Sequence, residues 1–163
     1  EAFDKVARVI GLGYPGGPKV DKLAKEGKPT IELPKTHMEG LDFSFSGVKT
    51  AIINLHHKNP DINKADLCAS FEKYVTDILL ENTLRASEQL GIKTIALAGG
   101  VSANSYIREN FLKLQERGYQ IYYPTPILCT DNAAMIASAG YYRYIAGVTS
   151  QLDLNAVPNL KIS

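Results

Sequence analysis

Ala96-Leu-Ala-Gly-Gly-Val-Ser-Ala-Asn-Ser105 decides how this chain is read. An apolar run ends in two glycines and passes into residues that start a helix, with Ser102 as the expected cap. Such a strand–Gly–helix junction is where many α/β proteins bind a nucleotide, because bare backbone N–H groups meet the positive end of a helix dipole. A second stretch, Cys129-Thr-Asp-Asn-Ala-Ala-Met135, places the acidic Asp131 at the start of an Ala-rich helix. The two together suggest a nucleotide site with a metal ligand beside it.

Working outward, Thr94–Ala98 reads as a short strand, apolar on both faces and therefore central and parallel. A helix runs from Ser102 to Glu116, and Tyr119–Tyr123 forms the next strand, ended by Pro124 and Pro126. Residues 132–145 are helical and the tail from Leu152 is loop. The order strand, helix, strand, helix implies a βα-type parallel sheet and an α/β fold.

The first half is mostly helical. Phe3, Val6, Ala7, Val9 and Ile10 recur at helical spacing, and Gly11 and Gly13 end that helix. Pro18 suits the first position of a short second helix with Val20, Leu23 and Ala24 facing in. Residues 28–40 are loop, with an edge strand at Thr30–Leu33. Leu41–Ser46 alternates apolar and polar side chains, a strand signal. Gly47 leads into a helix to about His57, and the longest helix runs from Lys64 to Leu90, capped by Asp61 or Asn63 and stopped by Gly91. We therefore divide 1–163 into a mainly helical part, 1–92, and a βα part, 93–163, that carries the nucleotide and metal features.

The bulk composition sets limits on function. With 163 residues, 45% hydrophobic and 21% charged, the chain is one domain or one lobe of something larger. A net charge of +1 gives no electrostatic footprint for nucleic acid, though a weak or partner-assisted RNA contact is compatible with it. Cys68 and Cys129 have neither disulfide-framework nor metal-ligand spacing and read as reduced thiols of a cytoplasmic protein. No apolar run approaches membrane-spanning length. The opening Glu1-Ala-Phe-Asp-Lys5 falls in mid-helix pattern with no initiator Met, so the chain is read as a fragment whose upstream part is missing.

Each candidate residue has a plainer explanation beside the functional one. Gly99 and Gly100 let a phosphate or ribose approach, or simply make a tight turn, and Asn104 is a ligand contact or a surface amide. Gly17 and Asp21, in Pro15-Gly-Gly-Pro18 and just after it, form a second wall or a helix-to-helix turn. Asp4 taken alone reads as a solvated helix face. Asp131 is a hard oxygen ligand or a helix N-cap. His56 and His57 project in different directions and read as surface residues. Tyr141-Tyr-Arg-Tyr144 offers base-stacking rings, or a face packed against the rest of the lobe.

Six stretches, in order along nearly the whole chain, carry a family resemblance. They are Glu1-Ala-Phe-Asp-Lys5, Leu12-Gly-Tyr-Pro-Gly-Gly-Pro18, Asp42-Phe-Ser-Phe-Ser-Gly-Val-Lys-Thr-Ala51, Ala98-Gly-Gly-Val-Ser-Ala-Asn-Ser105, Cys129-Thr-Asp-Asn-Ala-Ala-Met-Ile-Ala137 and Asp153-Leu-Asn-Ala156. The chain resembles the C-terminal half of the tRNA threonylcarbamoyladenosine transferases, once described as O-sialoglycoprotein endopeptidases. The resemblance implies the actin-like ATPase fold shared with sugar kinases and heat-shock ATPases, this chain being most of the second lobe. It implies transfer of the threonylcarbamoyl group of threonylcarbamoyl-adenylate to the exocyclic amine of the adenosine beside the tRNA anticodon, with AMP leaving.

By position, Asp4, Gly17 and Asp21 match family residues that hold the nucleotide or its ribose. Asn104 matches another ligand contact, with Gly99 and Gly100 on the same wall, and Asp131 matches the carboxylate ligand of an iron or zinc ion. The family's two metal histidines, in an H-x-x-x-H motif, belong to the N-terminal half. His37-Met-Glu-Gly-Leu41 only imitates that motif, with Leu41 where the second histidine would stand. The resemblance also implies tRNA, an inactive paralogue and a small ATPase as partners, and a fragment that is inactive by itself. Two other classes remain: a non-catalytic nucleotide-fold binding module, against which the Cys129-Thr-Asp-Asn motif argues, and a sugar-kinase or actin-like ATPase. No metalloprotease helix or catalytic triad supports a protease.

Overall fold

The computed structural model describes residues 1–34 and 38–159. Their order is α1 (Ala2–Val9), α2 (Gly16–Ala24), α3 (Ser46–Lys58), α4 (Lys64–Leu90), β1 (Thr94–Ala96), α5 (Ser105–Leu112), β2 (Gln120–Tyr122) and α6 (Ala133–Ile145). Short 3-10 turns cover Gly100–Ala103, Lys113–Arg117 and Pro126–Leu128.

The apolar stripe of α1 buries Phe3, Val6 and Ala7, with Ile10 just beyond it. Gly11 and Gly13 then adopt φ of 81° and 74°, a region glycine enters without a Cβ clash. Helix α2 begins at Gly16, two residues earlier than Pro18 suggests. The reason is a close approach to α1: a Cβ on Gly16 would lie 2.6 Å from Asp4 Cα and 2.8 Å from the Phe3 carbonyl oxygen. Asp4 Oδ1 also accepts from Gly16 N at 2.7 Å and satisfies one orphan donor of the α2 N-terminus.

Helix α4 is the spine of the helical part. Asn63, one of the two caps anticipated, accepts from Ala65 N and Asp66 N, and Gly91 closes the helix in the left-handed conformation. Leu67, Phe71 and Val75 are buried along it, and Phe71 meets Phe3 edge-on at 4.9 Å. Both α2 and α5 pack on α4, and α1 packs on α2 and α3.

Strands β1 and β2 pair in parallel, Ile95 opposite Ile121. Each has only its middle residue buried, so the expectation that β1 is central and covered on both faces does not hold among the described residues: it has one partner strand, and Thr94 and Ala96 are exposed. Two further strand expectations fail. Thr30–Leu33 is irregular, and Ile31 N donates to Ser70 Oγ on α4 in place of a strand partner. The Leu41–Ser46 alternation yields extended loop and then the start of α3. With no strand alongside, the carbonyls of Leu41 and Asp42 accept from the Asn82 amide, and the Phe43 and Phe45 rings stack at 6.3 Å.

The junction after β1 also differs from expectation. Ser102 does not cap a helix, because its hydroxyl donates to the Gly99 carbonyl within a 3-10 turn. Asn104 is the cap, accepting from Ile107 N at 2.9 Å, and α5 ends at Leu112 before a further 3-10 turn. On α6 no residue is buried. Tyr141, Tyr142 and Tyr144 stand more than half exposed, so the packed face expected of Tyr141–Tyr144 is absent among the described residues.

Candidate functional site

A cleft of about 1070 Å³ opens between α1, α2 and the turn that follows β1. Asp4, Gly17, Asp21, Gly100 and Asn104, candidates drawn from two stretches about 80 positions apart, all line it, together with Thr130. Gly99 does not reach the lining; it sets the turn, with φ of 82°. Apart from its chain neighbours and the backbone of its own helix, nothing lies within 4 Å of where a Cβ on Gly17 would sit, so its α-carbon faces open space.

The carboxylates in this cleft also hold the fold together. Asp4 is tied to Gly16 N as described above. Asp21 Oδ1 accepts from Ser105 N at 3.0 Å and Ser105 Oγ at 2.7 Å, and Oδ2 sits 3.3 Å from Lys25 Nζ. Asp21 thus bridges α2 to the first turn of α5, where a negative charge is favoured.

Asn104 is not the surface amide of the plainer explanation. It is buried, its Oδ1 caps α5, and its Nδ2 donates to Glu72 Oε1 at 2.6 Å. Glu72 is 2% exposed and was not anticipated as a site residue. Burial, reinforced by the Asp21 charge, raises its carboxyl to about 7, against the pull of the Asn104 hydrogen bond and of Lys25. The signal was present in the sequence: an acid one turn from Cys68 and next to Phe71, on the stripe of α4 that faces inward. Burial and the Glu72 charge likewise push the Cys68 thiol up to about 12, which leaves it an inert core thiol.

Arg108 is a second residue that sequence reading passed over. Its guanidinium donates to the carbonyls of Ser102 and Pro124 and to Cys129 Sγ, and lies 4.8 Å from the Tyr123 ring centre. One side chain therefore joins the turn on the cleft wall to the segment that leads into Asp131.

Asp131 is exposed and does not line the cleft, although its neighbour Thr130 does. It is not the cap of α6: Asn132 fills that role, accepting from Met135 N at 3.0 Å. The Asp131 carboxylate has no hydrogen bond or ion pair among the described residues. A hard anionic oxygen left free in this way fits a metal ion as one ligand. Among the described residues, however, no group of three His, Cys, Asp or Glu side chains could hold a metal. His37 lies outside the described residues. His57 is exposed as anticipated, while His56 is half-buried, and its Nδ1 has no partner among the described residues.

Comparison with known proteins identifies the family. The sequence profile of the tRNA N6-adenosine threonylcarbamoyltransferases matches residues 1–138. This chain belongs to that family. The protein of that name from Symbiobacterium thermophilum is 55% identical over 98% of this chain and 49% of its own length. The one from Clostridium perfringens is 54% identical over 99% of this chain and 50% of its own. A Clostridium botulinum relative is 52% identical with the same coverage. The chain thus spans about half the length of the curated relatives it matches. Among the described residues no helix is long and apolar enough to cross a membrane.

Proposed function

We propose that this chain is the second lobe of an actin-like fold and supplies one wall of a threonylcarbamoyl transfer site in a cytoplasmic enzyme. The observation that carries the reading is the convergence of Asp4, Gly17, Asp21, Gly100 and Asn104 on one cleft, within a chain of this family. In this reading the cleft holds the adenylate half of threonylcarbamoyl-adenylate. Asp4 and Asp21 accept from ribose hydroxyls through their remaining lone pairs, and Gly17 and Gly100 leave the backbone open to close approach. Asn104 supplies an amide hydrogen bond.

The exocyclic amine of the adenosine beside the tRNA anticodon attacks the threonylcarbamoyl carbonyl carbon. A C–N bond forms, the bond from that carbon to the phosphate oxygen breaks, AMP departs, and the amine gives up one proton. Asp131 is the ligand this chain offers, among the described residues, to an iron or zinc ion, whose charge when bound would orient and polarise the adenylate. The other metal ligands come from residues outside this chain. Besides tRNA, an inactive paralogue and a small ATPase subunit are the proposed protein partners.

Because no group of three His, Cys, Asp or Glu side chains among the described residues could hold a metal, the proposal has the isolated chain inactive. The test is threonylcarbamoyl transfer to tRNA by three proteins: the full-length enzyme, its Asp131→Ala variant and the isolated chain. Activity in the first alone is expected. Transfer by the isolated chain, or full activity after Asp131→Ala, overturns the proposal.

A further inference from the structure

The mechanism above leaves one buried acid unused. Glu72 projects from α4 beneath the cleft, and its Oε1 accepts from Asn104 Nδ2 at 2.6 Å. Asn104 Oδ1 is already engaged by Ile107 N. An amide nitrogen carries two hydrogens and no acceptor, so one hydrogen goes to Glu72 and one remains. The bond from Ile107 N sets the oxygen end of the amide toward α5, and Glu72 holds the nitrogen end in place.

We propose that Glu72 is a positioning residue for ligand recognition: with Oδ1 of Asn104 tied to α5, its hold on the amide nitrogen fixes Asn104 in place as a hydrogen-bond donor to the cleft, selecting an acceptor atom of the nucleotide. The class of group selected is a ribose oxygen, a phosphate oxygen or a ring nitrogen. This rests on the cleft being the nucleotide site.

The grip depends on pH. The groups around Glu72 are Asp21 and Lys25 from α2, Cys68 from α4 itself, and Asn104 with Ser105 from α5. Tyr106 and Glu109 join Lys25, Ser105 and Glu72 around a cavity of about 240 Å³. Ionised Glu72 makes a charge-assisted bond to the amide, and the protonated acid offers only a neutral carbonyl, which is weaker. Nucleotide affinity therefore rises as pH passes through about 7.

The experiment is calorimetric titration of AMP into the full-length protein from about pH 5.5 to about pH 8.5, a range that brackets the carboxyl. Each variant is read as a ratio to Glu72→Gln at the same pH, which cancels the titration of the AMP phosphate. Wild-type affinity relative to Glu72→Gln should rise about fivefold across the range, the difference between a charged and a neutral hydrogen bond. Glu72→Met, which removes the acceptor, should bind AMP about fivefold more weakly than Glu72→Gln at neutral pH. Wild-type affinity for Glu72→Met alongside weakened binding by Asn104→Ala overturns the inference and leaves the nucleotide site standing. Unchanged binding by Asn104→Ala overturns the contact itself and the inference with it. Should Glu72→Met fail to fold, a wild-type to Glu72→Gln ratio that stays flat with pH is the overturning result.

Discussion

Asp21 and Ser105 stand 84 positions apart, yet one oxygen of Asp21 takes both hydrogens that Ser105 offers, at 3.0 Å from N and 2.7 Å from Oγ. The pair fastens the helical part of the chain to the first turn of α5, on the wall of the cleft. Asp21→Ala strands two donors in a half-buried place and should cost about 2 kcal/mol of stability. Asp21→Asn keeps an acceptor and should cost less. Urea unfolding of the two variants measures this, and equal midpoints would remove the bridge from the account.

The glycines separate packing from ligand access. At Gly16 a methyl group would meet Asp4 Cα at 2.6 Å and Ala7 Cβ at 2.8 Å, and at Gly27 it would meet the Ala65 backbone at 2.2 Å. Neither neighbour is the end of a flexible side chain. Gly16→Ala and Gly27→Ala should therefore each destabilise by about 1–3 kcal/mol, the usual range for overpacking. Gly17→Ala has open space around it and should leave the melting temperature within about a degree or two, since surface changes fall within ~0.5 kcal/mol. A Gly17→Ala variant that melts normally but binds AMP poorly would show the added methyl lying in the ligand's path. One that binds AMP normally would take Gly17 off the binding wall.

Asp131 and Asn132 divide what looks in the sequence like one role. Asn132 Oδ1 caps α6, so Asn132→Ala should cost about 1 kcal/mol. Asp131 makes no bond among the described residues and should be replaceable by Ala with a change of less than about 0.5 kcal/mol. In the full-length protein the pattern should reverse for metal content, which Asp131→Ala lowers and Asn132→Ala spares. Elemental analysis beside thermal melts reads both; an Asp131 variant that melts low and keeps its metal would make the residue structural.

The helices were legible because their signals are local. The stripe of α1, the Asn63 cap and Gly91 stop of α4, and the glycines after Ile10 each act within a turn or two of their own position. The strands were harder, since a strand needs a partner that local alternation does not supply, and the carbonyls of Leu41 and Asp42 found the Asn82 amide instead. Ser102 and Asn104 are equally good caps on paper; the 3-10 turn that spends the Ser102 hydroxyl on Gly99 decides between them. Within the cleft, the lining glycines and acids could be named from motifs, but Glu72 and Arg108 act through contacts that span 32 and 21 positions, and no motif encodes those.

Burial of Glu72 has a stability signature distinct from its effect on ligand binding. In the unfolded chain this carboxyl loses its proton near 4.5, and in the folded chain near 7. Between those values the folded state holds a proton that the unfolded state has released, so stability falls as pH rises through that window and levels off above it. Each unit of displacement is worth about 1.4 kcal/mol, which puts the whole effect on the order of 3 kcal/mol. Glu72→Gln carries no titrating group at this position and escapes that loss. The stability gained by Glu72→Gln over wild type should therefore be small near pH 4.5 and grow to its plateau above about pH 7, as chemical denaturation at a series of pH values would record. A difference that stays constant with pH would mean that Glu72 titrates alike in the folded and unfolded chain, and so is not the desolvated acid that its 2% exposure describes.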